Sequence, residues 1–381
     1  MGIWEIYLVL YTFVAFSYLW YRYIFLLVPE KRNMGNYKGL VTVIIPFYNE
    51  RLSLLTRTIK SVDKCNGDKQ IIVIDDGSVS KECYNHLLKL KKEIPFRLMR
   101  YEKNIGKRHA QILGFEKTKG DVIITVDSDT ILRKNALVNL IKPFSDEKIG
   151  ATTGQLEILN RDDNILTKMQ NARYWNAFNF ERKSQSKFGA LNCCSGPISA
   201  YKKSVIDEIK NDYSNQYFLG NKCTYGDDRH LTTLILKNGY SVKYVPSAKG
   251  YTDAPTTLRK LIKQQIRWKK SWLRENYLVS KFMFKTSKAL SFEIFITTFI
   301  VFFSLFARIG LVVILILVPL YILWVVPMIL FMGAIHSLYI LFHKPKYFGY
   351  SVLYAFVHAF IIYWLVFIAL FTLKETSWGT R

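Results

Sequence analysis

Apolar positions in this chain fall into three kinds of run. Residues 3–28 form a long apolar and aromatic stretch, carrying Glu5 near its start and followed by Lys31 and Arg32. A run of that length predicts a membrane-spanning helix, retained as an anchor, and the basic residues after it orient the adjoining domain towards the cytosol. From about residue 40 to 250, short β-branched runs alternate with amphipathic stretches, which predicts a mostly parallel sheet covered by helices. The clearest strands are 41–45, 71–74 and 122–126, each ending directly in polar residues. A stretch rich in Lys, Arg, Trp and Leu at helical spacing covers residues 256–281 and predicts an amphipathic helix in the membrane interface. Apolar sequence then runs from 292 to 342, broken by little more than Arg308 and His336, and again from 352 to 373. These stretches hold three or four further segments.

The predicted organisation is therefore an anchor (1–30), an α/β domain (38–255), interfacial helices (256–288), a carboxyl-terminal membrane region (289–373) and a short tail (374–381). In open α/β sheets, ligands bind outside the carboxyl ends of the strands. That rule selects Asn49-Glu50, Asp75-Asp76 and Asp127-Ser128-Asp129 as one rim of a pocket.

Composition changes this picture in one respect. The chain has 53 Lys and Arg against 29 Asp and Glu, a formal charge of +24. Such an excess raises nucleic acid as a partner, yet no reader motif is present. Basic residues lying between apolar ends fit a cytosolic domain beside anionic membrane lipids, so we expect no nucleic acid. The five cysteines include no CxxC pair, which predicts reduced thiols, and adjacent Cys193 and Cys194 lack partners at zinc-ligand spacing.

Each polar motif admits more than one reading. Asp127-Ser128-Asp129 suits Mg²⁺ or Mn²⁺ bridging two phosphates, and equally a turn or helix cap. Asp75-Asp76-Gly77-Ser78 can accept hydrogen bonds from a uracil or ribose, or simply end a strand. Asn104-Ile105-Gly106-Lys107-Arg108 places cations at a helix start fit for phosphates, without Walker spacing. Asp228, in Gly226-Asp227-Asp228-Arg229, is a candidate general base, or a cap. In Gln264-Gln265-Ile266-Arg267-Trp268, Arg267 can bind a leaving diphosphate and Trp268 can stack on a sugar, or both snorkel.

The ordered set IDDGS, NxGKR, DSD, SGP, GDDR and QxxRW resembles the processive family 2 glycosyltransferases, with a GT-A nucleotide-sugar transferase domain, over about residues 40–275. Within them the chain is most similar to class I hyaluronan synthases, through Arg173-Tyr174-Trp175, Ser195-Gly196-Pro197, Lys270-Ser271, Arg274-Glu275 and the closing Trp378-Gly379-Thr380-Arg381. The resemblance implies UDP contacts from Asp75, Asp76, Lys107, Arg267, Trp378 and Arg381, metal–diphosphate binding by Asp127 and Asp129, and Asp228 as base. It implies an acceptor site at Trp268, Asp227, Arg229 and Gln264 and a donor-sugar pocket at Cys194, Ser195 and Gly196. The expected enzyme is a multi-pass protein of the cell membrane with its catalytic domain in the cytosol. It inverts the donor linkage and joins UDP-GlcNAc and UDP-glucuronate into a growing polysaccharide that leaves through the membrane bundle. Chitin or nodulation-type chitooligosaccharide synthesis from UDP-GlcNAc alone, and a glucose–glucuronate capsule synthase, are the alternatives. The chain departs from the hyaluronan synthase pattern in showing one amino-terminal span where two are usual, and in stopping at WGTR.

Overall fold

The computed structural model of the protein describes residues 3–29, 35 and 37–375. Its strands, in chain order, are β1 (Val41–Phe47), β2 (Lys69–Asp75), β3 (Arg97–Arg100), β4 (Val122–Val126), β5 (Ile131–Leu132), β6 (Ile149–Ile158), β7 (Ile198–Lys202), β8 (Tyr217–Phe218), β9 (Asn221–Lys222) and β10 (Ser241–Thr252). Eight of them form one sheet in the order β3-β2-β1-β4-β7-β6-β10-β5, while β8 and β9 pair separately. Every residue of β1 and β4 is buried. Parallel strands covered on both faces have no solvent side, which is why they read as unbroken apolar runs.

The sheet is mostly parallel, as expected, with reversals at β7 and β5. Strands β3, β2, β1 and β4 are mutually parallel, as are β6 and β10, but β7 runs antiparallel to both β4 and β6. This reversal matters for the site. Ile198, the first residue of β7, pairs with Val126, the last of β4, so the loop preceding β7 lands on the same rim as Asp127. The sheet is the open mixed sheet of the GT-A fold.

Among the described residues, four helices are long and apolar enough to cross a membrane: Val9–Leu27, Lys288–Leu317, Pro319–His336 and Pro345–Phe371. The predicted stretch from 292 to 342 is thus divided. Pro319 lacks an amide proton and excludes helical geometry from the residue before it, and Val318 sits at φ −135°, ψ 79°. The main core continues from the sheet through Val279 and Met283 to Leu290 and Ile294, joining the soluble layer to the second span.

The helix Leu258–Ser280 begins where Thr257 accepts a hydrogen bond from the Lys260 amide. Its buried face is polar: Lys270, Ser271, Arg274, Glu275 and Asn276 all point inward. This helix is therefore bolted to the α/β domain by hydrogen bonds and charges as well as by apolar contact.

Candidate active site

Two glycines allow the rim to close. Gly77, at φ +72°, lies so near the backbone of Lys103 and Asn104 that an added Cβ would sit 2.3 Å from the Lys103 carbonyl carbon. Only a residue without a side chain permits that approach. The approach brings the loop after β3 under Asp76, whose carboxylate accepts from the Asn104 side chain (3.0 Å) and from the amides of Ile105 (3.1 Å) and Gly106 (3.0 Å). Burial raises the Asp76 carboxyl to about 6, although those two amides pull it down. Gly226, at φ +79°, plays the same part elsewhere: an added Cβ would fall 2.2 Å from Ser271 Oγ and 2.8 Å from an Arg274 nitrogen. The turn opening the helix Asp227–Lys237 is thereby pressed onto the helix Leu258–Ser280, the one expected to lie in the interface.

Asp228 sits in the first turn of the helix Asp227–Lys237, at the positive end of the helix dipole. Its Oδ1 accepts from the Arg229 amide (2.8 Å) and its Oδ2 from the Gly196 amide (3.2 Å). Lys107, in the first turn of the helix Lys107–Glu116, pairs with Asp127. Burial pulls the Lys107 ammonium down, but Asp127, Asp227 and Asp228 outweigh it and leave the group raised. These groups meet at one point. A Cβ built on Gly196 would lie 3.5 Å from Asp127 Oδ2, 3.7 Å from Asp228 Oδ2 and 3.7 Å from Lys107 Nζ.

The meeting point opens into a cavity of about 2000 Å³. Typical ligand pockets run to roughly 300–1,000 Å³, so this one has room for a nucleotide sugar and an acceptor together. Glu50, Asp76, Asp127 and Asp129 line it, as do Ser195, Gly196, Asp227, Asp228 and Arg229. Gln264, Arg267 and Trp268 form the wall contributed by the interfacial helix, and Thr297 and Tyr354 its membrane end. The Oγ of Ser195 and the Oε1 of Gln264 are buried without a protein partner among the described residues, as expected of groups that wait for substrate.

Not every expected residue reaches the cavity. Asp75 is fully buried behind the wall, accepting from Arg100 (2.6 Å) and from the Ser78 amide (2.8 Å). Successive residues at a strand end point to opposite faces, so only Asp76 turns towards the ligand side. The same alternation buries Cys194 completely and leaves Cys193 on the cavity wall. Asp227 reaches the wall, but its Oδ1 accepts from Arg108 Nε (2.9 Å). Trp378 and Arg381 lie outside the described residues. The segment before them is held beside the site, because Lys270 pairs with Glu375 (2.9 Å) and the Tyr225 hydroxyl donates to the Glu375 carbonyl (3.2 Å).

A buried network behind the cavity had no distinct signature beyond the Arg274-Glu275 pair. Glu275 accepts from Gln216 (2.7 Å) and Arg274 (3.0 Å) and faces His230 Nδ1 (3.1 Å). Gln216 accepts in turn from Arg108, the partner of Asp227. Burial acts to raise the Glu275 carboxyl, but His230 and Arg274 hold it down at about 2. The network ties the turn carrying the candidate base to the helix carrying Arg267 and Trp268.

A GT-A sheet with acids converging on a nucleotide-sized cavity, joined to membrane-length helices, defines a membrane-associated glycosyltransferase. Residues 42–210 match the family model "Glycosyl transferase family 2". The hyaluronan synthase of Streptococcus pyogenes serotype M3 is 37% identical over 370 residues, covering 94% of this chain and 86% of that one. An N-acetylglucosaminyltransferase of Azorhizobium caulinodans is also 37% identical, over 257 residues that cover 67% of this chain and 65% of the relative. The solved mannosyltransferase of Pyrobaculum calidifontis, in complex with GDP-Man and Mn²⁺, shares the fold with a TM-score of 0.67 at 17% identity, covering 94% of this chain and 98% of the other. The chain belongs to the family 2 glycosyltransferases, in their hyaluronan synthase branch, and is a membrane protein and a UDP-sugar-dependent transferase.

Proposed function

We propose that this enzyme polymerises UDP-GlcNAc and UDP-glucuronate into hyaluronan, processively and with inversion, from the cytosolic face of the cell membrane. The carrying observation is the convergence of Asp127, Asp228 and Lys107 around Gly196, in a cavity that extends to Trp268 and to the membrane helices. In this reading residues 1–30 anchor the chain, 38–255 transfer sugar, 256–288 lie in the interface, 289–373 complete a multi-pass bundle, and 374–381 close the nucleotide site.

Asp76 accepts hydrogen bonds from the uridine, while Lys107 and Arg267 attract the diphosphate. Asp228 takes the proton of the acceptor hydroxyl as that oxygen attacks the anomeric carbon, and UDP departs from the opposite side, so no glycosyl-enzyme intermediate forms. Trp268, 42% exposed, offers its face to the acceptor sugar. Asp127 and Asp129 fit Mg²⁺ or Mn²⁺, because such ions take one or two carboxylates and complete their shell with substrate phosphates and water. That mode needs no third protein ligand, and no group of three His, Cys, Asp or Glu suited to a metal occurs among the described residues. Such an ion would neutralise charge on the diphosphate.

Replacing Asp228 with Asn tests the base: polymerisation should fall by roughly 10²–10⁴-fold while UDP binding persists. A variant that retains a tenth of the wild-type rate would contradict the assignment. Digestion of the wild-type product decides the polymer. Hyaluronidase sensitivity and dependence on both donors are expected, whereas a chitinase-sensitive product from UDP-GlcNAc alone would place the enzyme with the chitooligosaccharide synthases.

A further inference from the structure

Buried and half-buried cations near the membrane end of the cavity are of two kinds. Some are neutralised: Arg22 pairs with Glu293 at 2.6 Å and Arg173 with Glu181 at 2.8 Å. Lys269 and Arg308 are not. Among the described residues neither has a carboxylate partner; the Arg308 guanidinium donates to the Ala359 carbonyl at 3.3 Å and lies over the Tyr363 ring.

Neither lines the cavity: Lys269 directly follows a lining residue, and Arg308 lies about 16 Å along its helix from Thr297. Thr297 and Tyr354 line the membrane end of the cavity. At about 100° per residue, Arg308 falls on the face of its helix that Thr297 occupies, and His358 follows Tyr354 by roughly one turn. Lys269 follows the cavity-lining Trp268 on the interfacial helix. The three elements converge on one ring: the Arg308 guanidinium carbon is 3.8 Å and Lys269 Nζ 5.9 Å from the centroid of Tyr363, whose hydroxyl is fixed on the Val301 carbonyl. Burial, then Arg308 and Arg173, bring the Lys269 ammonium down to about 8, with no acid acting the other way.

An arginine within a membrane-length helix is costly, and such groups mark the path of something that compensates them. We infer that Lys269 and Arg308 form an anion station on the route of the growing polymer, receiving the carboxylate of a uronic acid residue as it leaves the catalytic cavity. A neutral chain of N-acetylglucosamine has no group that would compensate these cations. A chain with a carboxylate on alternate sugars presents one at each disaccharide step. The inference deepens the reading of the product given above and rests on it.

The test is the Lys269→Gln, Arg308→Gln double variant of the full chain, reconstituted in phosphatidylcholine nanodiscs and supplied with both donors. The initial rate of UDP release should stay within about twofold of wild type. Mean product length should fall about tenfold, the change in the ratio of elongation to release expected when one charge-assisted hydrogen bond is lost. The charge-preserving double variant Lys269→Arg, Arg308→Lys should restore length. Unchanged length in a uronate-containing product overturns the inference and leaves the proposed function standing. Equal shortening in the charge-preserving variant also overturns it, by making the cluster a packing feature. So does a length difference seen only in discs containing anionic lipid, which would assign the cations to a headgroup phosphate. A wild-type product free of uronate overturns the proposed function, and the inference with it.

Discussion

Gly196→Ala separates site geometry from fold. The added methyl would meet nothing nearer than 3.5 Å, an ordinary van der Waals contact, and the residue is not among the glycines with positive φ. The substitution also keeps the Gly196 amide that donates to Asp228. Folding should therefore be unharmed, and loss of backbone freedom in the unfolded chain should add about 0.4–1 kcal/mol of stability. Catalysis should not tolerate the change. The methyl stands between Asp127 Oδ2, Asp228 Oδ2 and Lys107 Nζ, where a phosphate or hydroxyl oxygen must come within about 3 Å of its partner. Blocking one charge-assisted hydrogen bond costs roughly 1.5–3 kcal/mol, or about 10- to 150-fold in kcat/KM. Steady-state UDP release in detergent or nanodiscs, with a thermal melt of the same preparation, reads both numbers. A variant that melts at or above the wild-type temperature with kcat/KM within about twofold would show that substrate does not occupy this point.

Two carboxyl groups, one on the wall and one behind it, give further outcomes. Because burial holds the Asp76 carboxyl near 6, it is an anion above that pH and neutral below it. UDP binding measured by calorimetry should be constant above about pH 7 and weaken as pH falls through 6; Asp76→Asn should bind weakly at every pH, without the inflection. Glu275→Ala strands Arg274 and His230 in a buried site and should cost about 3–5 kcal/mol, seen as a large drop in thermal midpoint. Glu275→Gln keeps the shape and should retain UDP binding while losing turnover, since the base and acceptor platform lose their shared anchor; parallel losses in both would make Glu275 a purely structural residue.

Much of the sheet could be read in advance, and the exceptions share a cause. Strands β1, β2 and β4 announce themselves as apolar runs, whereas β6 and β7 do not, because they bury hydroxyls. Thr152 donates to the Leu140 carbonyl, Thr153 to that of Ile198 and Ser199 to that of Ser195. The first two partners lie 12 and 45 residues away and are invisible until the chain is folded. The site divides along the same line. Asp76, Asp127, Asp129 and Asp228 can be picked out from strand ends and motif order, while the choice of Asp76 over Asp75, and of Cys193 over Cys194, depends on which way each side chain turns. The membrane break at Val318 was available in principle from Pro319, but uniform hydrophobicity on both sides concealed it.

The pressed contact at Gly226 also limits how a long product can advance. With no space for even a methyl group between the two, the turn that carries Asp228 packs directly against the helix Leu258–Ser280 that carries Trp268. On the roles proposed for Asp228 and Trp268, this packing makes an anvil of fixed dimensions, and the step of one sugar is made by the polymer moving across the Trp268 ring. The direction of travel is then set downstream of the anvil, by whatever grips the chain after it has passed.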